Sequence, residues 1–309
     1  MGALLTAFNA VLPLFLVIFA GMLFSRTKTA SEIWVSVLNN YALKVGLPAL
    51  VIASLIKIDP ASGSYGKLIL INSAWFIVCM LLAFPVARLF KLNNNLRSAL
   101  IMVFSYGNVA YLGIPVLKNS YGEMAVPVAG IISSIYIFWL LTLGMFLIEF
   151  NHVNRPNIGK LLLKQSRNPL ILSVFIGLSI VVFKIRLPGF ISETIGLFAG
   201  SVTAVVLFSL GIFLGFHKTG GFKDWGIALV WSVVIMVILP AVFYFVAGKT
   251  NLDDLSLKAS VLEAAMPLGL TPYAIASQNK IETPLIARIV VTSTLSSIIV
   301  IPLWIIILG

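Results

Sequence analysis

The sequence predicts an all-α membrane protein of ten transmembrane helices in two inverted five-helix repeats, with the fourth and ninth helices broken and crossing at the midplane. Three observations predict it: a charge-poor apolar composition, ten apolar runs of spanning length, and prolines that recur at a nearly fixed offset. Hydrophobic residues make up 60% of the chain and charged residues 10%, whereas soluble domains carry roughly a quarter charged residues. The mean hydropathy is +1.08. No water-soluble fold can cover that much apolar surface with polar groups, so the expected solvent is lipid.

The same composition excludes several functions. The net charge of +11 is scattered over short loops, as the positive-inside rule expects, and forms no basic helix face interleaved with aromatics, so no nucleic-acid partner is expected. Cys79, the single cysteine, lies in an apolar run, which rules out a disulfide framework or a thiolate metal site. His152 and His217 read as loop residues without metal-ligand spacing. The spans hold no HExxH, nucleophile elbow or carboxylate pair, so no catalytic residue, metal or cofactor is expected.

About 20 mostly apolar residues are needed to cross the hydrocarbon core. Span 1 is Ala7–Phe24; it has no basic n-region and no small-residue cleavage site after it, so it reads as a retained helix. Spans 2 to 5 are Ile33–Ile56, Leu68–Phe90, Ser98–Leu117 and Ala125–Ile148. Spans 6 to 10 are Pro169–Phe183, Phe190–Gly215, Trp225–Ala247, Leu257–Ser277 and Pro284–Leu308. The chain divides into a first repeat over 1–150, a cytoplasmic linker over 151–168 and a second repeat over 169–309. The odd-numbered loops carry 13 Lys and Arg against 7 in the even-numbered ones. That bias makes the odd loops cytoplasmic and places both termini outside the cell membrane.

Pro13 and Gly21 of span 1 recur as Pro169 and Gly177, offset 156; Pro85 recurs as Pro240, offset 155; Pro115 and Pro127 recur as Pro272 and Pro284, offset 157. Five spans per half is an odd number, so the second half enters the membrane from the opposite side, as in many secondary transporters. Span 4 reads Gly107-Asn-Val-Ala-Tyr-Leu-Gly113-Ile-Pro115, and span 9 reads Met266-Pro267-Leu-Gly-Leu-Thr-Pro272-Tyr. Broken helices persist in a bilayer only where they line a cavity or are covered by protein. Two breaks at equivalent places, at Pro115 and Pro272, predict half-helix N-termini that point partial positive charge at one small volume suited to an anion.

Of the ten acidic residues only Glu263 sits deep within a span, the others lying in loops or, like Glu193, at span ends, and Lys44 is the matching lone base near the middle of span 2. Buried ionisable groups are expensive and tend to be functional. Glu263 is open to three readings: it carries a coupling proton, it binds sodium, or it pairs structurally with Lys44 or a freed backbone N–H. Lys44 either neutralises a substrate carboxylate or snorkels to water.

The stretch Asn108-Val-Ala-Tyr-Leu-Gly-Ile-Pro115-Val-Leu-Lys-Asn-Ser-Tyr-Gly122-Glu123 closely resembles the fourth-helix crossover motif of PIN-type auxin efflux carriers. Ala264-Ala-Met-Pro267-Leu-Gly269-Leu-Thr-Pro272-Tyr-Ala-Ile-Ala is similar to their ninth-helix motif, and Arg167-Asn168-Pro169 and Phe208-Ser-Leu-Gly211 to two further signatures. The resemblance covers essentially the whole chain and implies an auxin efflux carrier family member sharing its fold with bile-acid symporters. It implies alternating-access, elevator-type transport of small organic anions, with spans 1, 2, 6 and 7 as a scaffold and spans 3–5 and 8–10 moving.

By the same resemblance, Asn108 and Asn168 contact substrate, with Leu47, Ala110, Tyr111 and Leu270 forming the walls, and Gly113, Pro115, Pro267 and Pro272 shaping the crossover. Asparagine amides can donate to a carboxylate without the full desolvation cost of a buried cation. The sequence departs from the plant pattern in its short loop from Glu149 to Asn168, in Trp75 where a carboxylate is common, and in Lys44 and Glu263 themselves. Glu263-Ala-Ala-Met266 also resembles, more weakly, an acidic element at the sodium site of bile-acid symporters. The expected partners are an organic anion and the lipid bilayer, with Na+ or H+ as a coupling ion and a homodimer as a compatible assembly. Sodium- or proton-coupled uptake and a non-transporting membrane sensor are the alternatives.

Overall fold

The computed structural model describes residues 2–57, 65–105, 107–152, 159, 163, 166–217, 221–278, 281 and 283–309. These residues are helical almost throughout, and the β-type pairing among them is a single bridge. In chain order, α1 is Gly2–Phe24, α2 is Glu32–Leu55, α3 is Gly66–Leu89, and α4 begins as α4a, Asn94–Ser105. After a break, α4b runs over Val109–Gly113 and continues as Ile114–Tyr121. Then come α5 (Ala125–Asn151), α6 (Pro169–Val182), α7 (Gly189–Phe216) and α8 (Phe222–Ala247). Helix α9 is split into α9a (Asp254–Ala264) and α9b (Leu270–Gln278), and α10 is Thr283–Leu308.

Seven of these helices are long and apolar enough to cross a bilayer as they stand: α1, α2, α3, α5, α7, α8 and α10. Helix α6 has 14 residues, and α4 and α9 are the interrupted ones. Large apolar side chains such as Phe19, Leu70, Phe175, Leu197 and Phe245 stand exposed on the outer faces. In water such a surface would drive aggregation; against acyl chains it is the matched one.

Four helices widen into π turns, and three of these turns end two residues before a proline. Ala42–Gly46 precedes Pro48, Val109–Gly113 precedes Pro115, and Val234–Ile238 precedes Pro240. A proline lacks the N–H that would bond four residues back, and its ring presses on that carbonyl. One extra residue in the turn relieves the clash. At Pro240 the carbonyl four residues back, on Met236, receives the indole N–H of Trp304 on α10 at 2.8 Å. In lipid that carbonyl would otherwise stay costly and unpaired.

Helices α1, α2, α6 and α7 pack mainly on one another, and α3–α5 and α8–α10 form the other group. The closest approach in the first group is between α1 and α7. A Cβ on Gly211 would overlap the Ile18 carbonyl oxygen, and one on Gly21 would overlap that of Phe208. Gly177, the counterpart of Gly21, sits against α2, where a Cβ would stand 2.7 Å from Leu55 Cδ1. Helix α1 therefore packs on α7 through Gly21, and α6 on α2 through Gly177.

The breaks are not where the prolines suggested. Among the described residues the chain leaves helical geometry at 107–108 and at 265–269, upstream of Pro115 and Pro272. Pro115 lies in the α4b segment Ile114–Tyr121 and Pro272 in the first turn of α9b, where a missing N–H costs nothing. Of the four expected crossover residues, only Pro267 is in a break itself. His152 differs from expectation, closing the helix Met145–His152, whereas His217 lies just past the end of α7 as its C-cap.

Candidate functional site

The two breaks face each other. Gly107 and Leu268 form an antiparallel bridge, and Asn108 N–H donates to Pro267 O at 2.6 Å. On the far side of the second break, Leu268 N–H donates to Ser293 Oγ of α10 at 3.1 Å. Backbone groups freed by the interruption are thus paired inside protein, which is the condition for irregular backbone at bilayer depth. The approach depends on a missing side chain at Gly107, where a Cβ would come within 2.8 Å of Met266 O.

Asn108 begins the second half-helix. Its carbonyl accepts from Leu112 N at 3.1 Å and Gly113 N at 3.0 Å, while its side-chain Oδ1 is buried without a hydrogen-bond partner among the described residues. Ala110 and Tyr111 follow in the same widened turn and are buried, as is Leu270 at the start of α9b. These four residues are gathered where two half-helices begin. The leading N–H groups of a helix have no intrahelical partners and carry partial positive charge, so the place favours an acceptor-rich, anionic group.

Asn168 has a different setting. It is half-buried at the start of α6, where its Oδ1 accepts from Leu170 N at 3.0 Å as an N-cap. Among the described residues no hydrogen bond joins it to Asn108. Leu47 is fully buried just before Pro48 on α2. Lys44 lies on the preceding π turn with its side chain exposed.

Glu263 is completely buried on α9a, and neither carboxyl oxygen has a hydrogen-bond partner among the described residues. The expected structural pairing with Lys44 or a freed N–H is therefore absent there. Its carboxyl group rests on Gly113 of α4b, where an added Cβ would lie 2.7 Å from Glu263 Cδ and overlap an oxygen. Beside it is a cavity of about 20 Å³ lined by Trp75, Cys79, Phe104, Gly107, Tyr136 and Leu239 among others. One turn earlier, Ser260 Oγ accepts from Asn72 Nδ2 at 2.9 Å, tying α9a to α3.

A larger cavity of about 230 Å³ opens between α2, α7 and α9b, lined by Asn39, Asn40, Leu43, Phe213, His217 and Tyr273 among others. Tyr273 OH and His217 Nε2 are 3.3 Å apart and join α9b to α7. A second cavity, about 160 Å³, lies on the other side of that pair next to Arg288, which is 3.5 Å from Asp224. The sequence alone placed none of Asn39, His217 and Tyr273 in a site. The aromatic-plus-amide composition at one end of α2, α7 and α9 was their only signal. Among the described residues no cluster of three His, Cys, Asp or Glu could hold a metal ion.

An apolar helical bundle with two interrupted helices paired inside it is the build of a membrane transport protein. The chain belongs to the family described as membrane transport proteins, which it matches over residues 6–305. It is 25% identical to an uncharacterized transporter of Methanocaldococcus jannaschii over 276 residues, covering 87% of this chain and 88% of that one. It is 21% identical to an uncharacterized transporter of Escherichia coli K12 over 304 residues, 96% of this chain and 95% of that one. Auxin efflux carrier component 1 of Arabidopsis thaliana is 25% identical over 150 residues, 47% of this chain and 24% of the plant protein. The expected kinship with auxin efflux carriers is thereby established.

Proposed function

We propose that this transporter carries small organic anions, such as auxin-like or other carboxylates, by an elevator form of alternating access with export as its expected direction. One observation carries the reading: two half-helices, α4b and α9b, start from breaks joined by the Asn108 N–H to Pro267 O bond. Their N-termini and the buried Asn108 amide can hold a carboxylate without a buried cation. All ten helices span the membrane in this reading, α4 and α9 as broken crossing helices in two inverted five-helix repeats. The matched packing of Gly21 on α7 and Gly177 on α2 supports that symmetry. The grouping of α3–α5 with α8–α10, apart from α1, α2, α6 and α7, supports a moving body on a scaffold.

The charge bias of the loops favours a plasma-membrane protein with both termini outside, so the His217–Tyr273 cavity faces the cytoplasm as the way in. The test is a thermal-shift screen of carboxylates on purified protein, followed by flux of the hits in proteoliposomes. Asn108→Ala is expected to weaken binding about tenfold, the loss of one hydrogen bond to a charged group, with the protein still monodisperse. Binding unchanged by that substitution would place the site elsewhere.

A further inference from the structure

We propose that Glu263 is a proton carrier: its carboxylic acid rides with the broken helices, and one hydrogen ion crosses in the same direction as each substrate anion. This rests on the carrier reading above and adds the identity of the coupling ion.

The argument starts from the surroundings of the carboxyl group. Helix α3 offers Trp75, Phe76 and Cys79; α4a offers Val103, Phe104 and Ser105; α8 offers Ile235 and Leu239; α5 offers Tyr136. Helix α4b contributes Gly113. The titratable groups among these are the Cys79 thiol and the Tyr136 phenol, both uncharged in their ordinary forms. No cation from any of these helices reaches Glu263 among the described residues. Lys258, on α9a itself, is 2.9 Å from Asp254 and donates to Gly309 O at 3.0 Å, Arg288 faces Asp224, and Lys44 is exposed on α2.

A bare carboxylate enclosed this way has lost its hydration and gained nothing in return, so the enclosed form is the neutral acid. Sodium could supply a positive charge only with a shell of oxygen ligands, as hard cations require. The adjoining cavity, about 20 Å³ and lined by aromatic rings and aliphatic chains with the Ser105 hydroxyl, the Tyr136 phenol and the Cys79 thiol, has room for roughly one water, too little for a cation with a full oxygen shell. A proton asks for neither room nor ligands.

The direction of coupling follows from the contact with Gly113. That residue closes the turn whose opening residues, Asn108 and Val109, form the anion end of α4b. A negative charge at Glu263 repels an anion there, and a protonated Glu263 does not. Anion and proton therefore bind together and leave together. The step balances as the acid giving a carboxylate and one hydrogen ion, released to the water on the side where the two half-helices part. A monocarboxylate moves with no net charge, and a dicarboxylate carries one negative charge across.

The test uses proteoliposomes of the full chain enclosing a pH-sensitive dye, with protein-free vesicles as the blank, and lactate and succinate as probes. Net entry of either should acidify the lumen in wild type. Glu263→Gln should abolish the acidification, with any remaining lactate exchange independent of pH, and Glu263→Asp should keep it with a displaced pH profile. Flux with no lumenal acidification, flux driven by a sodium gradient instead, or Glu263→Gln acidifying as wild type would each overturn the proposal. If neither probe crosses, the substrate reading fails first, and infrared spectroscopy of purified protein still decides this one. Wild type should show the carbonyl band of a protonated acid at neutral pH, and Glu263→Gln should lack it. A wild type without that band refutes the assignment.

Discussion

The carboxyl group of Glu263 occupies the space that a side chain on Gly113 would need. Each residue therefore sets the limit on the other, across the contact between α9a and α4b. Gly113→Ala should force the carboxyl aside in a fully packed region, an overpacking cost of about 1–3 kcal/mol. Thermal unfolding in detergent checks this. The double variant Gly113→Ala with Glu263→Ala should recover most of the loss, because the two changes share one volume. Additive losses would mean that the two side chains do not compete.

Gly211→Ala should be among the most damaging single-methyl changes in the chain. Its Cβ would overlap the Ile18 carbonyl, a backbone atom that cannot swing away, so α1 and α7 must separate. A loss of at least about 1–3 kcal/mol is expected, again by thermal unfolding. Gly196→Ala on the same helix meets open space and should be neutral or gain up to about 1 kcal/mol from helix propensity.

Asn168→Ala separates a capping role from a substrate role. The Asn168 Oδ1 bond to Leu170 N caps α6, and its removal should cost about 0.5–2 kcal/mol of stability. Carboxylate affinity measured by thermal shift against the variant's own baseline should stay at the wild-type value. A tenfold loss of affinity, about 1.4 kcal/mol, would bring Asn168 into the site through a conformation other than this one.

Outside the membrane, Glu123 follows α4b and lies 2.7 Å from Lys118. The Lys118 hydrogen bond holds its carboxyl below the usual carboxylate range. A lowered folded-state value means that whatever stability the pair adds is present above the ordinary carboxylate range and disappears as the pH falls through the lowered value. Both groups are more than half exposed, so the effect is small. Thermal unfolding of wild type and Lys118→Ala should differ slightly at neutral pH and converge in acid.

Much of the fold was legible because lipid imposes a single requirement, a long apolar helix, that composition states directly. The ends of α3, α7 and α10 fall within two residues of the expected ones for that reason. The breaks were legible only in outline. Pro115 and Pro272 announce interrupted helices, but a π turn absorbs the first and an initial turn accommodates the second. The true gaps, at 107–108 and 265–269 among the described residues, are set by the pairing of Gly107 with Leu268, a contact far apart in sequence. The same holds for the site. Asn108 could be found from its local motif, whereas Tyr273 and His217 become partners only when α9b meets α7. Glu263 stood out as the lone acid of the spans, but its lack of a partner is a property of the packing around it.

Cys79 forms one wall of the small cavity beside Glu263. It is also the only thiol in the chain, and it is buried. Wild-type protein is thus nearly silent toward alkylating reagents in this conformation, and a cysteine introduced on any loop can be labelled singly without first rebuilding the core. The thiol also acts as a built-in clock. Its rate of modification by a small maleimide reports how often the space between α3, α5 and α9a admits solvent, before any substrate has been identified.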